Sequence, residues 1–160
     1  MDKILSLLEK NARLSNEQIA AMLGLPVKEV TETIARYEQE GVIKGYRALV
    51  DWDKVDKDHI TAFIEVKVSP QRDFGFEQMA ERVMQFEEVE SVYLMSGGFD
   101  LAVTVRGHSF KDVALFVAER LAPLDNVVSC ATHFMLRKYK DNGVPFGAEE
   151  PDERGKISLC

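Results

Sequence analysis

Cysteine is nearly absent: Cys130 and Cys160 are the only two in 160 residues, and they do not form a C-x-x-C pair. A disulfide framework and a C-x-x-C redox motif are therefore excluded. Long apolar runs are lacking too, and none approaches the roughly 20 residues that a membrane-spanning helix needs. The opening MDKILSLLEKNARLS is helix-patterned and carries acids. It lacks the basic start and long apolar run of a signal peptide. These absences make the cytoplasm the expected compartment and exclude a membrane partner. A basic excess is missing as well. Net charge is −7, which at first sight argues against a nucleic-acid partner. Its distribution softens that. Residues 1–50 carry seven basic and seven acidic side chains, residues 51–140 eleven and fifteen, and residues 141–160 two and five. The acid excess lies outside the first 50 residues, and a neutral segment can still meet phosphates if its few basic groups share one face.

The hydrophobic content of 46% is ordinary for a chain that buries real cores. The first segment, 1–50, reads as three helices. Asp2 is a good N-cap for the first, with Ile4, Leu5, Leu7 and Leu8 marking one side. Ser15 opens the second, and Gln18 three residues on completes a capping-box pattern. Ile19, Ala20 and Leu23 form its buried side, and Gly24 ends it. Pro26 starts the third at its first helical position, where a missing N–H costs nothing. Val27, Val30, Ile34 and Tyr37 then recur at three- and four-residue steps and predict an inward face as far as Gly41. VIKGYRALVD (42–51) is rich in strand formers, so a strand is expected there.

A charged stretch, DWDKVDKD (51–58), reads as a linker. The segment 59–139 follows it. HITAFIEVKV (59–68) alternates as a half-buried strand does. Residues 74–86 have helical spacing at Phe76, Met79, Ala80, Val83 and Phe86. VESVYLM (89–95) and LAVTVRG (101–107) are strands around the turn SGGFD, and residues 109–124 form a helix with Ser109 as N-cap and Asp112 at the capping-box position. VVSCATHFMLRKY (127–139) is the last strand. The order β-α-β-β-α-β predicts an α+β, ferredoxin-like domain with helices on one face of a mainly antiparallel sheet. Residues 140–160 show no periodicity and several breakers, and read as a tail.

Counted from Asn16, apolar residues fall at the fourth and eighth positions (Ile19, Leu23), a small residue at the fifth (Ala20), glycine at the ninth (Gly24), and apolar residues at the tenth and fifteenth (Leu25, Val30). Ala20 permits close helix crossing, Gly24 makes the sharp turn, and Leu25 and Val30 fill the wedge. That is a helix-turn-helix pattern, although any tight helix pair can show it. If the apolar stripe faces inward, Lys28, Glu29, Thr31, Glu32 and Arg36 face outward. Lys28, Thr31 and Glu32 lie near the helix N-terminus, the part that usually meets base edges. Thr31 suits a thymine methyl or a phosphate, and Glu32 suits a cytosine amine. Lys44, Tyr46 and Arg47 suit the DNA backbone. Taken singly, these are also what a solvated helix carries.

With these residues on the page, the chain resembles the Lrp/AsnC family, the feast/famine transcriptional regulators of bacteria and archaea. The resemblance covers roughly residues 2 to 138. It rests on LSNEQIAAMLGLP, EVTETIARYEQEGVIKGYRALVD, the β-α-β-β-α-β order and the SGGFDLAV turn. It implies an N-terminal winged helix-turn-helix domain that binds double-stranded DNA operators. It also implies a C-terminal domain for dimerisation and sensing, and assembly into dimers, tetramers or octamers of the chain itself. An amino-acid effector is a further implied partner. Family recognition helices usually carry several arginines where this chain has TET (31–33), and only Arg36 matches them. Multiple copies in an oligomer compensate for weak single contacts.

The turn after the second strand is the other candidate site. Gly97 and Gly98 are expected to take positive φ and expose N–H groups to a carboxylate, and Asp100 to pair with an α-ammonium. Composition by itself shows only a tight hairpin. The resemblance adds the effector reading, because family contacts cluster at this turn, and it places Met95, Ser96 and Phe99 along the pocket.

No other chemistry stands out. His59, His108 and His133 lack metal-ligand spacing, Cys130 reads as a small buried residue, and Met79, Met84 and Met95 read as core. GGFDLAVTVRG lacks G-x-G-x-x-G spacing, and no triad-like motif occurs. No catalytic residue, metal or cofactor is expected. Two other readings stand beside the regulator. One is a metabolite-binding assembly protein with weakened DNA binding, which the acidic third helix favours. The other is a tetrapyrrole-modifying enzyme of similar fold, which the lack of a His and Arg cluster disfavours.

Overall fold

The first two helices of the first segment begin where a side chain satisfies their free backbone N–H groups. The computed structural model describes residues 2–55, 58–69 and 75–146. It separates into two units, Met1–Val50 and a second from Asp51 onward, each described by itself below. Helix α1 (Lys3–Lys10) is capped by Asp2, whose Oδ1 accepts from the Ile4 amide at 2.8 Å and the Leu5 amide at 3.1 Å. Helix α2 (Asn16–Leu23) has the full reciprocal box. The Gln18 amide donates to Ser15 Oγ at 3.2 Å, and the Ser15 amide donates to Gln18 Oε1 at 2.9 Å. Gly24 closes α2 in the left-handed region at φ +67, which only glycine reaches without strain.

Helix α3 (Val27–Gln39) departs from the expectation at its start. Pro26 stands one position earlier, as the extended cap residue with φ −62 and ψ 138, and Val27 is the first helical residue. Val27 is not inward-facing either, being 42% exposed. The first turn overshoots the edge of the helical core, so the inward stripe starts at Val30. The core holds Ile4, Leu8, Ile19, Ala20, Val30 and Ile34, with Leu7, Leu14, Leu23, Leu25 and Ile43 packed around it. Full burial of a side chain such as Val30 contributes about 1.5–3 kcal/mol. Tyr37 is half-buried, and its hydroxyl donates to Asp2 Oδ2 at 2.7 Å, pinning the end of α3 to the start of α1. The strand expected over 42–51 does not form. The residues favour extended backbone, but among the described residues of this unit no second strand offers a ladder to pair with.

The second unit opens with a 3-10 turn at Trp52–Lys54, then strand β1 (Ile60–Val68), helix α4 (Phe76–Val83), β2 (Val89–Leu94), β3 (Leu101–Gly107), helix α5 (Phe110–Phe116) and β4 (Val127–Phe134). The sheet order is β2-β3-β1-β4 and every pairing is antiparallel. Period-two alternation sends Ala62, Ile64, Val66 and Val68 of β1 into one core. Leu101, Val103 and Val105 join them from β3, with Met79 and Val83 of α4 and Val113 and Phe116 of α5 above. The opposite face carries Phe63, Glu65 and Lys67, with Tyr93 60% exposed beside them.

Four details differ from the sequence expectation. The last strand, expected over 127–139, ends at Phe134. The helix expected over 109–124 widens into a π turn at Val117–Leu121, where the Ala122 amide donates to the Val117 carbonyl at 2.8 Å. An α-helix sets residues five apart about 140° around its axis. The wider turn lets Phe116 and Leu121 both reach the core. Ser109 caps α5 by accepting from the Asp112 amide at 3.1 Å, which is one half of the expected box. The start of the expected tail is ordered. Lys140–Asp141 (β5) pairs with Val144–Pro145 (β6), the turn between them has Asn142 at φ 45 and Gly143 at φ 82, and Phe146 is buried. Both turn residues at positive φ are what Asn-Gly prefers in a two-residue hairpin. Residues 56–57, 70–74 and 147–160, including Cys160, lie outside the described residues.

Of the methionines expected in the core, Met79 is buried but Met84 and Met95 are exposed. Cys130 is half-buried against the sheet core, and that burial pushes its thiol above the ordinary range. Among the described residues no group of three His, Cys, Asp or Glu is placed to hold a metal ion, and no helix is long and apolar enough to cross a membrane.

Candidate functional site

The outward side of α3 is built by the same periodicity that builds its inward side. Val30 and Ile34 are anchored in the core, so positions 28, 32 and 36 share the opposite stripe at steps of four, and Thr31 lies on its flank beside α2. Lys28, Thr31, Glu32 and Arg36 are all exposed there. Lys28 Nζ lies 3.8 Å from Glu32 Oε1, both side chains well exposed. Such a pair contributes little and is readily exchanged for another anion. Arg36 lies along the Tyr37 ring, 5.4 Å from its centroid. Thr31 is the most constrained of the four. Its hydroxyl donates to the Val27 carbonyl at 2.9 Å and accepts from Asn16 Nδ2 at 3.0 Å.

Lys44, Tyr46 and Arg47 follow the helix on the segment where the expected strand is missing, and all three are exposed. The Tyr46 hydroxyl donates to Glu38 Oε1 at 2.9 Å, and burial together with that bond raises its pKa. These four residues are thus assembled on one helix, whereas the other three lie beyond its end. Sequence reasoning missed Asn16 and the Tyr37–Asp2 pin. The Tyr37 hydroxyl, followed by the Leu5 amide, holds the Asp2 carboxyl below its ordinary value, and the same bond raises the Tyr37 hydroxyl.

The turn between β2 and β3 is closed by a bond from the Met95 amide to the Asp100 carbonyl at 2.8 Å. Its backbone differs from the expectation. Gly97 stands at φ +159, on the border of extended backbone, and Gly98 is not at positive φ. The pair of left-handed glycines does not form, because the ends of the loop are set by bonds to β1. The Asp100 amide donates to the Val66 carbonyl at 3.0 Å, and Asp100 Oδ2 accepts from the Val68 amide at 2.8 Å. Asp100 is therefore half-buried and already holds two strands together. A carboxylate has capacity for further donors, so this bond does not exclude a ligand ammonium.

Met95, Ser96, Gly97 and Gly98 are exposed, and a Cβ on either glycine would meet nothing within 4 Å. Phe99 is half-buried and edge-on to Phe63, with centroids 6.0 Å apart and planes at 79°. His133 lies 6.2 Å from the same Phe63 ring, and its Nε2 is 3.4 Å from Glu65 Oε1. The turn thus has an apolar floor at Phe63 and Phe99, a carboxylate at one end and open space above.

Known proteins match both units. Residues 3–44 fit the model of the winged helix-turn-helix DNA-binding family, and residues 61–145 that of the Lrp/AsnC ligand binding domain. The chain is 50% identical over 157 residues to the uncharacterized HTH-type transcriptional regulator YugG of Bacillus subtilis, covering 98% of this chain and 95% of the relative. It is 30% identical to the proline dehydrogenase transcriptional activator of Rhizobium radiobacter, over 89% of this chain and 90% of the relative. A transcriptional regulator of Neisseria meningitidis, solved as a complex with L-Met, superposes with a TM-score of 0.72 at 25% identity, over 91% of this chain and 96% of that one.

Proposed function

The chain belongs to the Lrp/AsnC family of transcriptional regulators, and on that premise we propose that it binds operator DNA as a homo-oligomer and adjusts that binding to an amino acid. In this reading residues 1–50 form the DNA-binding domain, 51–58 a linker, and 59 onward the sensing and assembly domain, to which the hairpin at 140–145 also belongs. The stripe Lys28, Thr31, Glu32 and Arg36 enters the major groove, while Lys44, Tyr46 and Arg47 meet phosphates. The amino acid sits at Met95–Asp100 over Phe99, its ammonium beside Asp100. The open sheet face around Phe63 and Tyr93 receives a second copy, and the protein works in the cytoplasm without catalysis or a cofactor. The observation that supports this best is the exposed stripe on a helix-turn-helix frame whose first helix, α2, carries a complete capping box and ends at Gly24. The amino-acid part draws on the L-Met complex of the Neisseria regulator.

The test is fluorescence anisotropy on DNA from upstream of the protein's own gene, against scrambled DNA, at low and near-physiological salt. The expected result is tighter binding to the upstream duplex at both salts, with a steep salt dependence. In Arg36→Ala the salt slope falls by about 1 per bound recognition helix while circular dichroism is unchanged. Equal or absent binding of both duplexes moves the reading to a metabolite-binding assembly protein, which the neutral charge of residues 1–50 favours. Titration calorimetry with single amino acids, L-methionine first, tests the effector site.

A further inference from the structure

Thr31 was expected to suit either a phosphate or a thymine methyl, and its hydrogen bonds separate the two. A threonine hydroxyl has one hydrogen and two lone pairs. Here the hydrogen goes to the Val27 carbonyl, four residues back on the same helix, at 2.9 Å. One lone pair accepts from Asn16 Nδ2 at 3.0 Å, across the turn between α2 and α3. Phosphate oxygens, thymine O4, and guanine O6 and N7 are all acceptors and need a donor. The Thr31 hydroxyl has none left to give. Asn16 also occupies the approach to the hydroxyl from α2. With the oxygen turned back on its own helix, the γ-methyl takes another staggered position about 120° away, on a residue that is exposed.

We infer that Thr31 reads DNA as a methyl group, recognising the C5-methyl of one thymine in each half-site, and that Asn16 is the positioning residue that holds it in that rotamer. The inference rests on the reading of α3 as the groove-facing helix. It adds a base identity at one position and a role for a residue of α2 that need not touch DNA. Threonine methyl against thymine methyl is an established mode of major-groove readout, and what this structure supplies is the lock that leaves the hydroxyl no hydrogen for a phosphate or an acceptor base edge.

The experiment uses the full chain and duplexes recovered by its selection from a random-sequence pool. The tightest duplex is resynthesised with deoxyuridine replacing each thymine in turn, which removes the methyl and leaves base pairing intact. At one thymine per half-site the wild type is expected to bind about fourfold more weakly, the effect of one buried methyl. Thr31→Ser keeps both hydrogen bonds and loses the methyl. It should bind the thymine duplex about fourfold more weakly and be indifferent to deoxyuridine at that position. Asn16→Ala should lower the thymine-to-deoxyuridine ratio toward one with unchanged circular dichroism, which a purely structural role for Asn16 would not do. Wild-type indifference to deoxyuridine at every thymine, or a Thr31→Ser protein that keeps the wild-type ratio, overturns the inference while leaving DNA binding intact. A pool in which no sequence is enriched overturns the proposed DNA reading itself, and this inference with it.

Discussion

Two glycine-containing turns carry the two candidate sites, and they behave differently. Gly24 between α2 and α3 takes the left-handed conformation at φ +67 that its position after a capped helix demands. Gly97 and Gly98 between β2 and β3 sit in a sequence equally suggestive of positive φ, yet the second is not there and the first is at the extended border. The helix stop is a local event. Once Ser15 and Gln18 start α2 and the chain must reverse into α3, the residue at the stop has one conformation that frees both helices to pack. The six-residue loop is governed by what it connects, since Asp100 is bonded to Val66 and Val68 on a strand more than thirty residues earlier. The loop glycines then serve openness rather than geometry.

Substitutions sharpen that contrast. The largest effect is expected for Gly24→Ala. Nothing lies within 4 Å of the added Cβ, so the loss of about 2 kcal/mol comes from backbone strain alone, read as a lower urea midpoint for the helical unit. Asp100→Ala comes next at about 1.5 kcal/mol, because the amide of buried Val68 loses its acceptor. Urea melts of the second unit, run without effector, show it. An unchanged melt together with a lost amino-acid response would assign Asp100 to the ligand instead.

Asp2→Ala removes the cap of α1 and the partner of Tyr37, with an expected loss of about 1 kcal/mol. Its pH dependence has a definite sign. The folded Asp2 carboxyl is held below its ordinary value of 3.8. Its contribution is therefore complete above the ordinary carboxylate range and disappears as pH falls through the lowered value. Wild type and Asp2→Asn should converge in stability at acid pH, and parallel curves down to low pH would refute this. The smallest effect belongs to Gly98→Ala, within about 0.5 kcal/mol, since the backbone needs no glycine there and the space is open. A large loss of stability in Gly98→Ala would erase the difference between the two turns.

Much of this was legible in the amino-acid order because it depends on neighbours a few residues apart. The caps at Asp2, Ser15 and Ser109, the stop at Gly24, the alternation of β1 and the strand at β3 all came out at the expected residues. The Asn142–Gly143 hairpin is equally legible from its dipeptide, although the breakers around it read as a tail. Val27 was misjudged because periodicity gives a direction and not the width of the core it points to. The strand expected over 42–51 failed because extended backbone needs a partner, and propensity does not supply one.

The candidate site residues divide in the same way. The stripe 28, 32 and 36, with Thr31 on its flank, follows from helical spacing once the buried side is known, so periodicity alone determined that Lys28, Thr31, Glu32 and Arg36 point away from the core. Only the tertiary structure decided what those groups are free to do. Asn16 meets Thr31 from 15 residues away, Tyr37 meets Asp2 from 35, and Asp100 meets Val68 from 32. Each of those bonds uses up a donor or an acceptor, and a hydroxyl has a single hydrogen to give. Which partner takes it depends on how separate elements pack, and that is fixed only when the chain has folded.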